Sequence, residues 1–125
     1  MSARILLVDD DAGIRMLISK FLEREGFEVI MAEDGLKGVD EAKANHPDLI
    51  ILDVVMPRMD GLTAARLIKF YKPLQDVPII FLTAKDADKD IELAQAVNAE
   101  VYITKPFDVH QVVKVVKEIL SNKSE

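Results

Sequence analysis

Cysteine is absent from this chain of 125 residues. That excludes disulfides and thiolate metal sites and fits a reducing cytosol. No long apolar run precedes the first acids of MSARILLVDD, so the N-terminus does not read as a signal peptide. No stretch approaches the roughly 20 apolar residues of a membrane span, and membrane insertion is not expected. There is no low-complexity segment, no internal repeat, no acidic tail and no basic arm. Positive charge is in deficit: the net charge is −6 and the isoelectric point about 4.9. Such a chain repels phosphate backbones, so direct nucleic-acid binding is disfavoured. Together these absences point to a cytoplasmic protein.

What is present is material for a core. Half of the residues are hydrophobic, and one domain of this length buries roughly two-thirds of the surface its unfolded chain exposes. Five short Val/Ile-rich segments read as strands: RILLVD (4–9), EVIMA (28–32), DLIILD (48–53), PIIFLT (78–83) and EVYIT (100–104). The first, third and fourth hardly alternate, as strands buried on both faces of a parallel sheet do. Other segments carry apolar residues three and four apart, the spacing of a helix face. These are Ile14, Leu17, Ile18, Phe21 and Leu22; then Leu62, Ala65, Leu67 and Ile68; then Val109, Val112, Val113, Val116, Ile119 and Leu120. Gly26 stands where a C′ glycine would close the first helix, and Asp60 and Asp108 precede the other two as N-cap candidates. Five β/α repeats imply parallel strands joined by crossover helices on both faces, a doubly wound α/β domain. In such sheets, sites form at the carboxyl ends of the strands, where the strand order reverses.

Chemically active residues collect at those ends. The first strand runs into Asp9, Asp10 and Asp11, the third ends in Asp53, the fourth in Thr83, and Lys105 follows the fifth. Each alone has an ordinary explanation: a cap, a solvated lysine, a strand threonine. Their coincidence at four strand ends calls for a site. Two unit charges about 4 Å apart repel by about 4 kcal/mol at an effective dielectric near 20. Either some of the carboxylates are protonated or a cation sits among them. Hard oxygen donors without His or Cys suit Mg²⁺, Mn²⁺ or Ca²⁺. No EF-hand loop is present, and Mg²⁺ is favoured because it takes one or two carboxylates, keeps waters and binds phosphate oxygens. Lys105 and Thr83 then ask for an anion. The set makes sense if one Asp accepts a phosphoryl group. Asp11 is the acid best explained as a helix cap. His46 and His110 lie at no strand end and read as surface residues; Met56 reads as packing.

LLVDDD, LIILDVVMPRMDG, IIFLTAK and YITKPF, in this order and at this spacing, resemble the receiver domains of two-component response regulators, typified by the bacterial chemotaxis response regulator. The likeness runs from about residue 3 to 120. It implies a flavodoxin-like (βα)5 fold whose five-stranded parallel sheet has the order 2-1-3-4-5, with two helices on one face and three on the other. It implies that Asp53 is the phosphoacceptor, that Asp10 binds Mg²⁺ directly and Asp9 mainly through water, and that the Val55 carbonyl completes the protein ligands. Thr83 would hydrogen-bond the phosphoryl group with help from the Ala84 backbone N–H, and Lys105 would pair with a phosphoryl oxygen. The Lys105–Pro106 peptide would be cis.

The resemblance also implies a regulatory phosphoacceptor rather than an enzyme, although one that promotes its own phosphorylation and dephosphorylation. Phosphorylation would draw Thr83 inward and Tyr102 after it. The surface made by the helix after the fourth strand, the fifth strand and the last helix would then change. A histidine kinase or histidine phosphotransfer protein would supply the phosphoryl group, and a downstream effector protein would read the result. The domain would be a monomer or a weak phosphorylation-dependent dimer. Asn98 stands where the family usually has Gly, a tolerable exchange at positive φ. Val55 and Lys85 occupy positions that tune dephosphorylation, and Val55 has no polar atom to position water. Ile14 and the loop after Lys105 are where kinase docking is expected, although Ile14 reads equally well as core. Past KEILSNKSE neither a linker nor a second domain follows in this chain, so residues 1–125 are expected to be a single receiver domain with no output domain here, either stand-alone or cut from a longer protein. The D-x-D of Asp9 and Asp11 leaves open an Asp-nucleophile phosphohydrolase of the haloacid dehalogenase type, in which DVVMPRMDG and TKPF have no place. A flavodoxin-like cofactor binder would want a Ser/Thr/Gly-rich loop where the three acids stand.

Overall fold

Aliphatic strands without polar interruption need cover on both faces, and these strands have it. A computed structural model of the chain describes residues 2–83 and 101–123. In it β1 (Arg4–Val8), β2 (Glu28–Ala32), β3 (Leu49–Asp53), β4 (Ile79–Thr83) and β5 (Val101–Thr104) form one parallel sheet in the order β2-β1-β3-β4-β5. The order reverses between β1 and β3, the expected place for a site. There Val8 pairs with Leu52, Asp53 with Leu82 on β4, and Thr83 with Thr104 on β5.

Four α-helices are described: α1 (Ala12–Arg24), α2 (Gly35–Asn45), α3 (Gly61–Phe70) and α4 (Val109–Lys123), with a 3₁₀ turn over Lys72–Leu74. The helix expected between β4 and β5 falls on residues outside the described ones, as do Ala84, Lys85 and Asn98. α1 and α4 cover one face, where Ile18, Leu22, Val112 and Val116 meet Ile5, Leu7, Ile51 and Leu82. α2 and α3 cover the other, where Val39, Ala65 and Ile68 meet Leu6, Leu52 and Phe81. Fully burying one such side chain is worth about 1.5–3 kcal/mol. None of the described helices is long and apolar enough to cross a membrane.

Helix starts follow short acidic caps. Asp11, Asp34, Asp60 and Asp108 each accept a backbone N–H from the first turn, at 3.2, 2.9, 2.8 and 2.9 Å. Gly26, at φ +93°, closes α1 in the left-handed region that favours glycine. Two apolar residues depart from the sequence reading. Leu17 and Leu67, expected on buried faces, are 43% and 42% exposed. Each lies one residue, about 100° of helix, from a fully buried isoleucine, and the buried arc is narrower than the apolar spacing suggests. Ile14 is half-buried against the α1/α4 side of the core.

Candidate functional site

β1 and β3 are neighbours, so their carboxyl ends deliver their acids side by side. Asp9, Asp10 and Asp53 each offer a carboxylate oxygen, and these oxygens lie within 4.8 Å of one another. Asp9 is fully buried, Asp53 nearly so, and Asp10 is exposed. Asp9 is well held. Its backbone N–H donates to the Ala32 carbonyl, one carboxylate oxygen accepts from the Asp11 N–H at 2.9 Å, and the other accepts from Lys105 Nζ at 3.1 Å. Lys105 reaches the cluster because β5 ends beside β4, where its N–H donates to the Thr83 carbonyl at 2.7 Å. Its Nζ also lies 3.3 Å from Asp53 Oδ1, so one ammonium bridges two acids that are 44 residues apart in the chain.

The electrostatics are unbalanced. Burial, and then the charge of Asp9, push the Asp53 carboxyl up to about 6 against the pull of Lys105. Lys105 moves up as well: burial works against its charge, and the Asp53 and Asp9 carboxylates outweigh it. One ammonium therefore does not neutralise the cluster. Among the described residues the buried Thr83 hydroxyl oxygen has no hydrogen-bond partner, and a buried polar group left so is costly. Three clustered carboxylate oxygens with no His or Cys are the donor set of a hard divalent cation such as Mg²⁺. The residues present fit that ion.

Other residues named from the sequence divide clearly. Asp11 is exposed and occupied as the α1 cap, so the D-x-D pair does not converge. Val55 lies in the turn after β3 with its side chain 65% exposed. Tyr102 pairs in register with Phe81, their rings nearly parallel at 6.3 Å. Thr83, two residues on from Phe81, shares that face of the sheet. The Lys105–Pro106 peptide is cis. His46 and His110 are exposed and away from the cluster, His46 closing α2 at φ +48° and His110 set edge-on to Phe21. Met56 is buried in the α2/α3 side of the core.

Four further residues, none given a role from the sequence, frame the site, and two of them, Arg58 and Gly61, lie inside DVVMPRMDG. Arg15 on α1 donates to the Asp9 carbonyl. Arg58, at φ +69° in the turn after β3, reaches Asp34 Oδ2 at 3.3 Å. Asp34 is buried and also caps α2, so this pair ties the turn behind Asp53 to the start of α2. The signal that could have found Asp34 is an Asp standing just before the α2 helix, in the N-cap position. Gly61 packs so closely that a Cβ there would meet the Asp53 carbonyl oxygen at 2.1 Å, and its N–H donates to the Val54 carbonyl. That contact holds the end of β3 against the start of α3.

Residues 5–117 match the family model of the response regulator receiver domain. Among curated proteins, the chain is 41% identical over 120 residues to the alkaline phosphatase synthesis transcriptional regulatory protein PhoP of Bacillus subtilis, covering 96% of this chain and 49% of that protein. It is 38% identical over 117 residues to the DNA-binding dual master transcriptional regulator RpaA of Synechocystis, covering 94% and 48%. The chain thus spans about half the length of the curated relatives it matches. Among solved structures, the chemotaxis response regulator CheY4 of Vibrio cholerae superposes with a TM-score of 0.89 at 30% identity, covering 95% of this chain and 99% of that one. The receiver domain of sensor histidine kinase PA1611 from Pseudomonas aeruginosa, described with a magnesium ion in its active-site cleft, gives 0.85 at 30% identity, covering 94% and 97%.

Proposed function

The chain belongs to the family of response regulator receiver domains, and from that premise we propose that it is a Mg²⁺-dependent switch that takes a phosphoryl group onto Asp53. The observation that carries this reading is the buried Asp53 carboxylate, paired with Lys105 and clustered with Asp9 and Asp10. Asp10, Asp9, Asp53 and the Val55 carbonyl would hold the metal. When bound, Mg²⁺ supplies positive charge that offsets the carboxylates and the incoming phosphoryl oxygens. The magnesium in the cleft of the PA1611 receiver domain supports that assignment.

This chain's residues then do the rest. An Asp53 carboxylate oxygen forms a bond to phosphorus as the donor's N–P bond breaks, and that electron pair leaves with the donor imidazole. Little covalent work is asked of the protein beyond positioning and charge neutralisation. Lys105, already 3.3 Å from Asp53, pairs with a phosphoryl oxygen. The Thr83 hydroxyl, without a partner among the described residues, donates to another, a task in which the family resemblance gives the Ala84 N–H a helping role. Movement of Thr83 toward that oxygen opens space on the face it shares with Tyr102, and the ring follows. The surface around β5 and α4 then changes and a protein effector reads it. The donor is a histidine kinase or phosphotransfer protein, and the setting is cytoplasmic. The domain carries out no turnover beyond forming and losing its own acyl phosphate.

Intact mass after incubation with acetyl phosphate tests the chemistry. The expected result is a labile gain of one phosphoryl group that requires Mg²⁺ and is lost in Asp53→Asn. A gain that persists in Asp53→Asn, or that needs no divalent cation, would overturn the assignment.

A further inference from the structure

Among the described residues, the most exposed large hydrophobic side chain stands on the outer face of α3. Phe70 is 90% exposed and Leu67 42% exposed. With Thr63 and Arg66, also exposed, they fall at positions 63, 66, 67 and 70. That is the three-and-four spacing of a helix-packing seam, and it points away from Ala64, Ala65 and Ile68, which face the sheet. An aromatic side chain left in water on a regular helix is the kind of group that anchors protein contacts.

The charge around this seam runs against that of the rest of the chain. From Gly61 to Gln75 there are three cations, Arg66, Lys69 and Lys72, and no acid, in a chain of net charge −6. Lys69 is engaged with the Val77 carbonyl. Arg66 and Lys72 are exposed and form no ion pair among the described residues. A basic patch bordering an apolar ridge is complementary to an acidic partner with an apolar stripe. The ridge is convex and two turns long, so it suits one helix lying alongside rather than a broad interface.

We propose that the outer face of α3, centred on Phe70 and Leu67 and bordered by Arg66 and Lys72, docks an acidic amphipathic helix of a partner protein. Leu67 and Phe70 lie roughly 9 and 13 Å along α3 from Gly61, where the helix meets Asp53, so occupancy of this surface and the phosphoryl chemistry can be measured separately.

The test is a titration of the isotope-labelled 125-residue chain with a synthetic amphipathic helix about five turns long, carrying a Leu/Phe seam flanked by Glu. The controls are the same peptide with Lys for Glu, and phosphatidylserine vesicles. Binding of the acidic peptide should move the amide signals of Thr63, Arg66, Leu67 and Phe70. Phe70→Ala and Arg66→Glu should each weaken it about tenfold or more, while keeping the thermal transition and the Mg²⁺-dependent labelling by acetyl phosphate. No binding, shifts centred elsewhere, or equal binding of the Lys peptide would overturn the proposal. So would preference for vesicles, or a concentration-dependent dimer abolished by Phe70→Ala, which would make the occupant a lipid surface or a second copy.

Discussion

β3 contains two environments within one strand. From Leu49 to Leu52 every side chain is fully buried, apolar and close-packed between helices. One residue later Asp53 is nearly as hidden, yet it carries a carboxyl crowded by Asp9 and only partly answered by Lys105. β4 repeats the contrast, with Phe81 and Leu82 packed and Thr83 buried with a hydroxyl that has no partner among the described residues. The strand bodies hold the fold together. At the end of β3, burial and the charge of Asp9 work against the ionised Asp53. Burial by itself therefore says little about stabilisation: the same depth stabilises an isoleucine and destabilises a carboxylate.

The sharpest way to test this contrast is to cut each side of it. Ile51→Ala, in the strand body, should lower unfolding free energy by about 2–5 kcal/mol, read from the denaturant midpoint. Asp53→Asn, two residues on, should act in the opposite direction. Because the folded-state carboxyl stands at about 6 against an ordinary 3.8, folding takes up a proton. The stabilisation from that proton is full below pH about 4 and is lost as pH rises through about 6. In EDTA at pH about 8 the Asn variant should exceed the wild type by up to about 3 kcal/mol, and the two should converge near pH about 4. Mg²⁺ should then stabilise the wild type more than the variant. A variant no more stable at pH about 8 would remove the idea of a strained strand end.

Smaller effects are expected from the groups that frame the site. Arg58→Ala takes the guanidinium from the buried Asp34, but Arg58 is itself 65% exposed at the side chain. Solvent screening limits the loss to about 1 kcal/mol, measurable as a small fall in the thermal midpoint. The least is expected of Val55→Ala: with an exposed, apolar side chain that cannot orient water, the variant should keep its phosphoryl lifetime. A much longer lifetime would mean that Val55 acts on the attacking water sterically.

The strand bodies were legible because a β-branched run carries its own burial signal, and the caps because Asp11, Asp60 and Asp108 act within one helical turn. Leu17 and Leu67 were misplaced because apolar spacing marks a helix face without setting its width. Arg15 and Arg58 were not foreseen, since an exposed-looking arginine gives no hint of which carbonyl or carboxylate it will meet across the fold. Phe70 read as nothing in particular, and only its solvent exposure sets it apart.

By itself the sequence determined the strands, most helix starts, the doubly wound class and the residues that end each strand. All of these follow from local periodicity and from side chains acting over a few residues. Only the tertiary structure decided that Lys105 reaches both Asp9, 96 residues away, and Asp53. It alone decided that Thr83 is buried without a partner among the described residues, and that burial and Asp9 together push the Asp53 carboxyl up to about 6. Distances between strand ends come from register across the whole sheet, and the cost of a charge comes from everything packed around it.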